Sequence, residues 1–162
     1  MENPIAKTIN AGCYILTSNV VAAIKPGEVV SVERETFPKL LESGARVTGF
    51  VDSQYWIDMG TPQSLIRASR DLILEPGRTS LRVGATNGAL ISSGAKVDPS
   101  ARIEGGSCIE DGAIIRPRVV IRGSIISAGA IVDDAAVIID SFIAPNSRVM
   151  RGSSLDNAIF GY

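Results

Sequence analysis

Residues 91–160, ISSGAKVDPSARIEGGSCIEDGAIIRPRVVIRGSIISAGAIVDDAAVIIDSFIAPNSRVMRGSSLDNAIF, place one large apolar residue at almost fixed intervals. Ile91, Val97, Ile103, Ile109, Ile115 and Ile121 follow one another at steps of six. The series continues through Ile126, Val132, Ile138, Ile143, Val149, Leu155 and Phe160, with a five-residue step before Ile126, Ile143 and Phe160. Two steps of six and one of five make a superperiod of 17. Two residues before each large position after the first stands a small one: Ala95, Ala101, Ser107, Ala113, Val119, Ser124, Ala130, Ala136, Ser141, Ser147, Ser153 and Ala158, of which only Val119 is neither Ala nor Ser. Side chains two apart on an extended strand share a face, so the large and small members of each pair both point inward.

Three short strands per superperiod, turning at Ser93-Gly94, Asp98-Pro99, Asp111-Gly112 and Pro145-Asn146, describe a triangular solenoid whose coils stack as parallel sheets. About four coils fit between Ile91 and Ile159. The pattern resembles the hexapeptide repeat of left-handed parallel β-helices. A β-sandwich of short strands also has regular turns, but it does not predict a large–small pair held in phase through twelve steps. Along one outer face, Cys108, Ile125, Phe142 and Ile159 recur every 17 residues and would stack into an apolar ridge. A contiguous apolar strip of this kind marks a docking surface, and the expectation is packing on a neighbouring domain or another subunit, hence a homo-oligomer.

Ahead of this segment the patterning is α/β. TINAGCYIL (residues 8–16) reads as a strand with Gly12 at its middle, where something approaches the backbone closely. Thr17 or Ser18 can cap a short helix through Ile24, and Ser31 opens a second helical stretch that Pro38 divides and Gly44 ends. Arg46 to Val51 read as the next strand. The run Tyr55-Trp56-Ile57-Asp58-Met59-Gly60-Thr61-Pro62 sets an acid and the only Trp in an apolar strand that ends at glycine. Thr61 then caps a helix with Pro62 at its first position. Leu65, Ile66, Leu72 and Ile73 fall on one face of that helix, with Arg67 and Arg70 on the other. An acid at a strand end beside a helix start lies where α/β sheets place ligands; it could equally be a solvated acid or a capping partner.

Three runs, INAGCYIL (Ile9 to Leu16), SVERETFPKLL (Ser31 to Leu41) and YWIDMGTPQSLIRASRDL (Tyr55 to Leu72), stand in the order found in the C-terminal half of the sugar-1-phosphate nucleotidyltransferases, which a β-helix follows. The chain resembles that family, most closely its bacterial mannose-1-phosphate guanylyltransferase branch, with the thymidylyl-, uridylyl- and adenylyltransferases as near competitors. The resemblance implies an α/β (Rossmann-like) remnant over residues 1–75, a linker over 76–90 and the left-handed β-helix over 91–162. It also implies a magnesium-dependent displacement, in which a sugar-1-phosphate oxygen attacks the α-phosphorus of a nucleoside triphosphate and pyrophosphate leaves. The product would be an NDP-sugar, GDP-mannose for this branch. Asp58 matches the acid that ligates the metal, and Asn10 the asparagine that contacts the sugar. An amide can donate to one hydroxyl and accept from another, and Gly12 would let the sugar approach the backbone. Glu33, Arg34 and Glu35 fit a family motif, but a charged helix start is commonly just solvated, and they are left outside the expected site.

The chain departs from the family in holding no glycine-rich GG-x-GTR-type phosphate loop and no upstream aspartate to share the metal. Gly105-Gly106 is a solenoid corner. The expectation is a fragment or truncated product that holds half a site and is inactive alone. An oligomerisation or regulatory module built on the β-helix is the alternative. A hexapeptide acyltransferase is disfavoured, because such enzymes generally use a histidine base and the chain has no His.

Composition trims the remaining classes. Among 162 residues, 16 basic and 17 acidic side chains give a net charge of −1, without the basic footprint that nucleic-acid binding needs. The longest apolar runs, Val20 to Ile24 and Ala135 to Ile139, are far below the roughly 18 residues needed to span a bilayer. No secretory signal is visible in MENPIAKTIN, so a cytoplasmic location is expected. Cys13 and Cys108 suggest neither a disulfide framework nor a zinc site. Without His, any metal should have oxygen ligands.

Overall fold

The computed structural model describes residues 8–80 and 84–161; residues 81–83 of the expected linker lie outside that set. By internal contacts the chain forms two compact units, Met1–Trp56 and Ile57–Tyr162.

The second unit is a parallel β-solenoid of about four coils. One sheet runs in the order β1 (Ala89–Ile91), β4 (Ser107–Ile109), β7 (Ile125–Ile126), β10 (Phe142–Ile143) and β13 (Ile159–Phe160). The second holds β2 (Lys96–Val97), β5 (Ile114–Ile115), β8 (Ile131–Val132) and β11 (Arg148–Val149). The third holds β3 (Arg102–Glu104), β6 (Val120–Arg122), β9 (Val137–Ile139) and β12 (Ser154–Asp156). Strands of two or three residues persist because their N–H groups are answered by carbonyls of the neighbouring coils, as in Ile114 N to Ala130 O at 2.8 Å and Ile131 N to Ser147 O at 2.8 Å.

The interior is the large–small lattice of the sequence. Ile109, Ile115, Ile121, Ile126, Val132, Ile138, Ile143 and Val149 are buried in one cluster with Ala113, Val119, Ala130 and Ala136. Each aliphatic side chain so buried contributes roughly 1.5–3 kcal/mol. The serines do more than leave room. Ser107, Ser124 and Ser141 line one corner, and each hydroxyl donates to a carbonyl of its own coil, at 2.7, 2.8 and 2.6 Å. Each also accepts a backbone N–H from the next coil: Ser124 N at 3.3 Å, Ser141 N at 3.0 Å and Ala158 N at 3.0 Å. Alanine would fill the same volume and leave those buried amides unpaired.

The expected outer ridge is a ladder in register, in which Cys108 pairs with Ile125, Ile125 with Phe142 and Phe142 with Ile159. It extends one step further, since Leu90 pairs with Cys108. That step is 18 residues rather than 17, which is why the superperiod does not pick Leu90 out. The extra residue lies in the Gly105-Gly106 corner: Glu104 pairs with Arg122 at an offset of 18, whereas Cys108 pairs with Ile125 at 17.

The helix α3 (Pro62–Leu74) belongs to this unit and lies against β1 and β4, burying Ile66, Ala68 and Ile73. Thr61 is its N-cap and Pro62 opens it. Leu65, read from the sequence as part of the buried face, is 40% exposed. One residue from Ile66 is a rotation of about 100°, enough to carry it off the stripe. Arg70, read as solvent-facing, instead reaches Asp140 at a solenoid corner, 3.2 Å away.

In the first unit, α1 (Ser18–Ala22) follows Thr17, whose side chain makes no cap bond. Ser31 caps a π-helical turn, Val32–Thr36, that runs into α2 (Phe37–Glu42), and Gly44 follows at φ +74°. No described residue of this unit is in a strand, so the strands expected over 8–16 and 46–51 are not formed; nor is the one read across Tyr55 to Asp58. A strand exists only where a ladder satisfies its N–H and C=O groups, and these segments find none among the described residues. Their apolar residues accordingly stay open, with Ile15 fully exposed and Phe50 92% exposed. Among the described residues no helix is long and apolar enough to cross a membrane.

Candidate functional site

In the first unit the chain turns at Asn10 and Gly12. The Gly12 N–H donates to Asn10 Oδ1 at 2.9 Å, a side-chain-closed turn. Gly12 has φ +73°, a region costly to any residue with a Cβ, and nothing lies within 4 Å of where a Cβ would stand. Its outer face is open. Asn10 Nδ2 donates to Glu33 Oε1 at 2.8 Å and also to the Tyr14 hydroxyl. The Tyr14 O–H in turn donates to Glu33 Oε1 at 2.7 Å.

Two local devices hold this cluster. The Tyr14 ring stands edge-on to Phe37, with centroids 5.0 Å apart and planes at 81°. Glu33 rides on the π-helical turn, whose start is fixed reciprocally: Ser31 Oγ accepts from Arg34 N at 3.2 Å, and Glu35 accepts from Ser31 N at 3.3 Å. The hydrogen bond to Glu33 pushes the Tyr14 phenol above its ordinary value, because a phenolate would lose that bond and face a carboxylate.

Asn10 sits on an exposed turn beside Gly12 where a strand was expected, and its amide donors are taken up within the chain. The residue missed is Glu33. It lies 23 positions from Asn10, and no period links them. The available signal was its place in SVERETFP, one of the three runs that carry the family resemblance.

Asp58 lies in the second unit, on an exposed turn closed by Gly60 N–H donating to its Oδ1 at 3.1 Å. Thr61, not Asp58, caps α3: its Oγ1 accepts from Ser64 N at 3.1 Å. Of the two alternatives for Asp58, the capping role falls to Thr61, while a solvated acid remains compatible with its exposure. Among the described residues no three of His, Cys, Asp and Glu converge as a metal cage. A single exposed carboxylate still suits magnesium, which is commonly held by one or two carboxylates together with substrate phosphates.

On the solenoid, Ile125 of the apolar ladder is only 6% exposed and Ile159 39%. Ile126 next to Ile125 points inward, so the outer surface at Ile125 is itself covered. Burial pushes the Cys108 thiol up, as does neighbouring Glu110, and keeps it protonated.

Residues 2–75 match the Nucleotidyl transferase family. The chain is similar to the mannose-1-phosphate guanylyltransferase of Mycobacterium tuberculosis, 51% identical over 73 residues, which are 44% of this chain and 20% of that protein. It is also similar to the mannose-1-phosphate guanyltransferase of Debaryomyces hansenii, 36% identical over 69 residues, 41% of this chain and 18% of the relative. The chain thus spans about a fifth of the length of these curated relatives. Among solved structures, the acetyltransferase domain of PglB from Neisseria gonorrhoeae FA1090 overlaps 55% of this chain and 48% of its own, at 23% identity and a TM-score of 0.38.

Proposed function

We propose that this chain supplies the sugar and metal side of a sugar-1-phosphate nucleotidyltransferase that makes an NDP-sugar, GDP-mannose from GTP and mannose 1-phosphate with release of pyrophosphate. The single observation that carries the reading is the match of residues 2–75 to the nucleotidyl transferase family together with 51% identity to a mannose-1-phosphate guanylyltransferase. The geometry supports it at two places. Asn10 and Gly12 form an open turn on which a hexose can rest. Asp58 offers an exposed carboxylate just ahead of a capped helix start.

In this reading Asp58 is one ligand of a magnesium ion, which when bound would align the phosphates and neutralise charge as it develops. Asn10 orients the sugar. Gly12 keeps the backbone low beneath it. Nothing in the sequence supplies a glycine-rich phosphate loop, so the chain by itself should not turn over.

The test is nucleotidyl transfer from GTP and mannose 1-phosphate, with other nucleotides and sugar phosphates as controls, by this chain alone and after addition of a polypeptide carrying the glycine-rich loop half. Product only in the mixture, lost on Asp58→Asn, supports the proposal. Product from the chain alone would refute its inactivity. No product in either case, from folded material, would favour a second reading, an oligomerisation module. The observation behind that reading is the ladder Leu90, Cys108, Ile125, Phe142 and Ile159, an apolar line across every coil of one sheet.

A further inference from the structure

The first coil of the solenoid is entered through a two-residue hairpin turn. Thr86 N donates to Ala89 O at 2.8 Å and Ala89 N to Thr86 O at 3.1 Å, an isolated antiparallel pair closed by Asn87 and Gly88. Both central residues have positive φ, +52° and +72°. That is the requirement of a type I′ turn, for which Asn-Gly is a favoured sequence. Gly88 O then accepts from Gly106 N at 2.7 Å, and a Cβ on Gly88 would stand 3.7 Å from Leu74 Cδ2 of α3. The turn is thereby tied to the Gly105-Gly106 corner and to the end of the helix.

What suits the turn also makes it chemically labile. A backbone nitrogen can attack the side-chain carbonyl of the asparagine before it when that side chain is exposed and unpartnered, when the attacking residue has no Cβ in the way, and when its own N–H is free. Asn87 is exposed, and its side chain has no hydrogen-bond partner among the described residues. Gly88 brings no Cβ, and its N–H bonds to nothing among the described residues. The other asparagines each fail one condition. Asn3 precedes Pro4, which has no N–H. Asn10 has its amide bonded to Glu33 and Tyr14, and Asn19 precedes the β-branched Val20. Asn146 and Asn157 precede Ser147 and Ala158, whose N–H groups donate to Ala144 O at 3.3 Å and Ser141 Oγ at 3.0 Å.

We infer that Asn87 is the chain's site of spontaneous deamidation. The Gly88 nitrogen gives its proton to water or hydroxide and bonds to Asn87 Cγ, the side-chain nitrogen leaves as ammonia, and a succinimide ring forms. Water then adds to one of the two ring carbonyls and breaks its bond to the ring nitrogen, with no oxidant or reductant involved. Opening at Cγ leaves an ordinary aspartate. Opening at the main-chain carbonyl leaves isoaspartate, whose backbone runs through Cβ and Cγ and is one carbon longer. A turn so lengthened loses the two-residue geometry that holds the Thr86–Ala89 pair and presents Gly88 O to Gly106 N. Age therefore loosens the corner on which α3 rests.

The experiment incubates the full chain in mildly alkaline buffer at physiological temperature and maps it over time by mass spectrometry, with isoaspartate scored by enzymatic methylation. The Asn87 peptide should convert about tenfold or more faster than the Asn146 and Asn157 peptides, which needs only a modest difference in barrier. Amide exchange at Gly106 should be about tenfold faster in aged wild type than in fresh protein. Asn87→Gly keeps a sequence that suits the turn and should show no change with age. Equal conversion at the three asparagines would overturn the site, as would an Asn87 that stays intact in the folded chain while it converts in denaturant. Isoaspartate at residue 87 with unchanged exchange at Gly106 would overturn the loosening. If Asn87→Gly misfolds, the wild-type time course still decides, because conversion and exchange are both read on it.

Discussion

The backbone of Arg70 in α3 presses on Gly106 so closely that a Cβ at residue 106 would stand 2.9 Å from the Arg70 Cα and 3.0 Å from its carbonyl oxygen. Gly106 also belongs to the Gly105-Gly106 corner that makes the first coil one longer than the others, and it adopts φ +79°. The lengthened corner and the seat of the helix are therefore one feature.

Gly106→Ala should thus destabilise the second unit by about 2 kcal/mol or more, adding left-handed backbone strain to a clash with main chain that cannot move aside. Gly152→Ala is the control. Its φ is +69° but nothing lies within 4 Å of the new Cβ, so it should cost about 1 kcal/mol. Chemical denaturation of the three proteins checks the difference, and equal losses would mean that α3 does not rest on the corner.

Ser124→Ala should cost about 1–3 kcal/mol, because it orphans the buried Ser141 N–H while removing almost no volume. Ser147→Ala, at a partly exposed position whose hydroxyl makes only a long 3.4 Å contact to Gly161 O, should stay within about 0.5 kcal/mol. Amide exchange at Ser141 should accelerate selectively in the first variant.

Asp133 accepts from Arg148 at 2.8 and 3.1 Å, and this bond holds its carboxyl below the ordinary value of 3.8. A native value depressed below the unfolded one stabilises the fold above the unfolded value, and that contribution drains away as pH falls through the native one. Wild type should therefore lose stability more steeply than Asp133→Asn on acidification below about pH 4, and the two curves should run parallel above it. Denaturation midpoints from pH 2 to 7 test this; parallel curves throughout would mean the pair is as strong unfolded as folded.

Phe142→Asp puts a charge into the middle of the apolar ladder. If that ladder joins copies of the chain, the variant should shift the sedimentation profile toward monomer at equal concentration while the far-ultraviolet spectrum is kept. An unchanged oligomeric state would remove the ladder from consideration as a contact between copies.

The solenoid was legible because each residue's environment in a closed repeat depends only on its phase. Ile115 and Ala113 meet the same surroundings as Val132 and Ala130, so the pattern shows itself twelve times. The capped start at Thr61-Pro62 was legible for a similar reason, being a rule about adjacent residues. What escaped depends on partners that sequence distance hides. Residues 8–16 have strand composition but no ladder, and composition cannot create a neighbour. Glu33 reaches Asn10 across 23 residues of turns and short helices. Arg70 lies on the polar side of its helix by angle alone, yet Asp140 draws it onto the solenoid. Ser and Ala were interchangeable by size, and only the coil-to-coil amides distinguish them.

The column of Ser107, Ser124 and Ser141 also has a direction. Ser107, Ser124 and Ser141 each hand an oxygen forward to the amide of the following coil, and the recipient at the end is Ala158, which has no hydroxyl to pass on. Any further coil stacked beyond it, whether from extension of the repeat or from another molecule, would meet a corner with no acceptor for its amide. Ala158→Ser would give that corner one more hydroxyl and so one more oxygen to offer an amide.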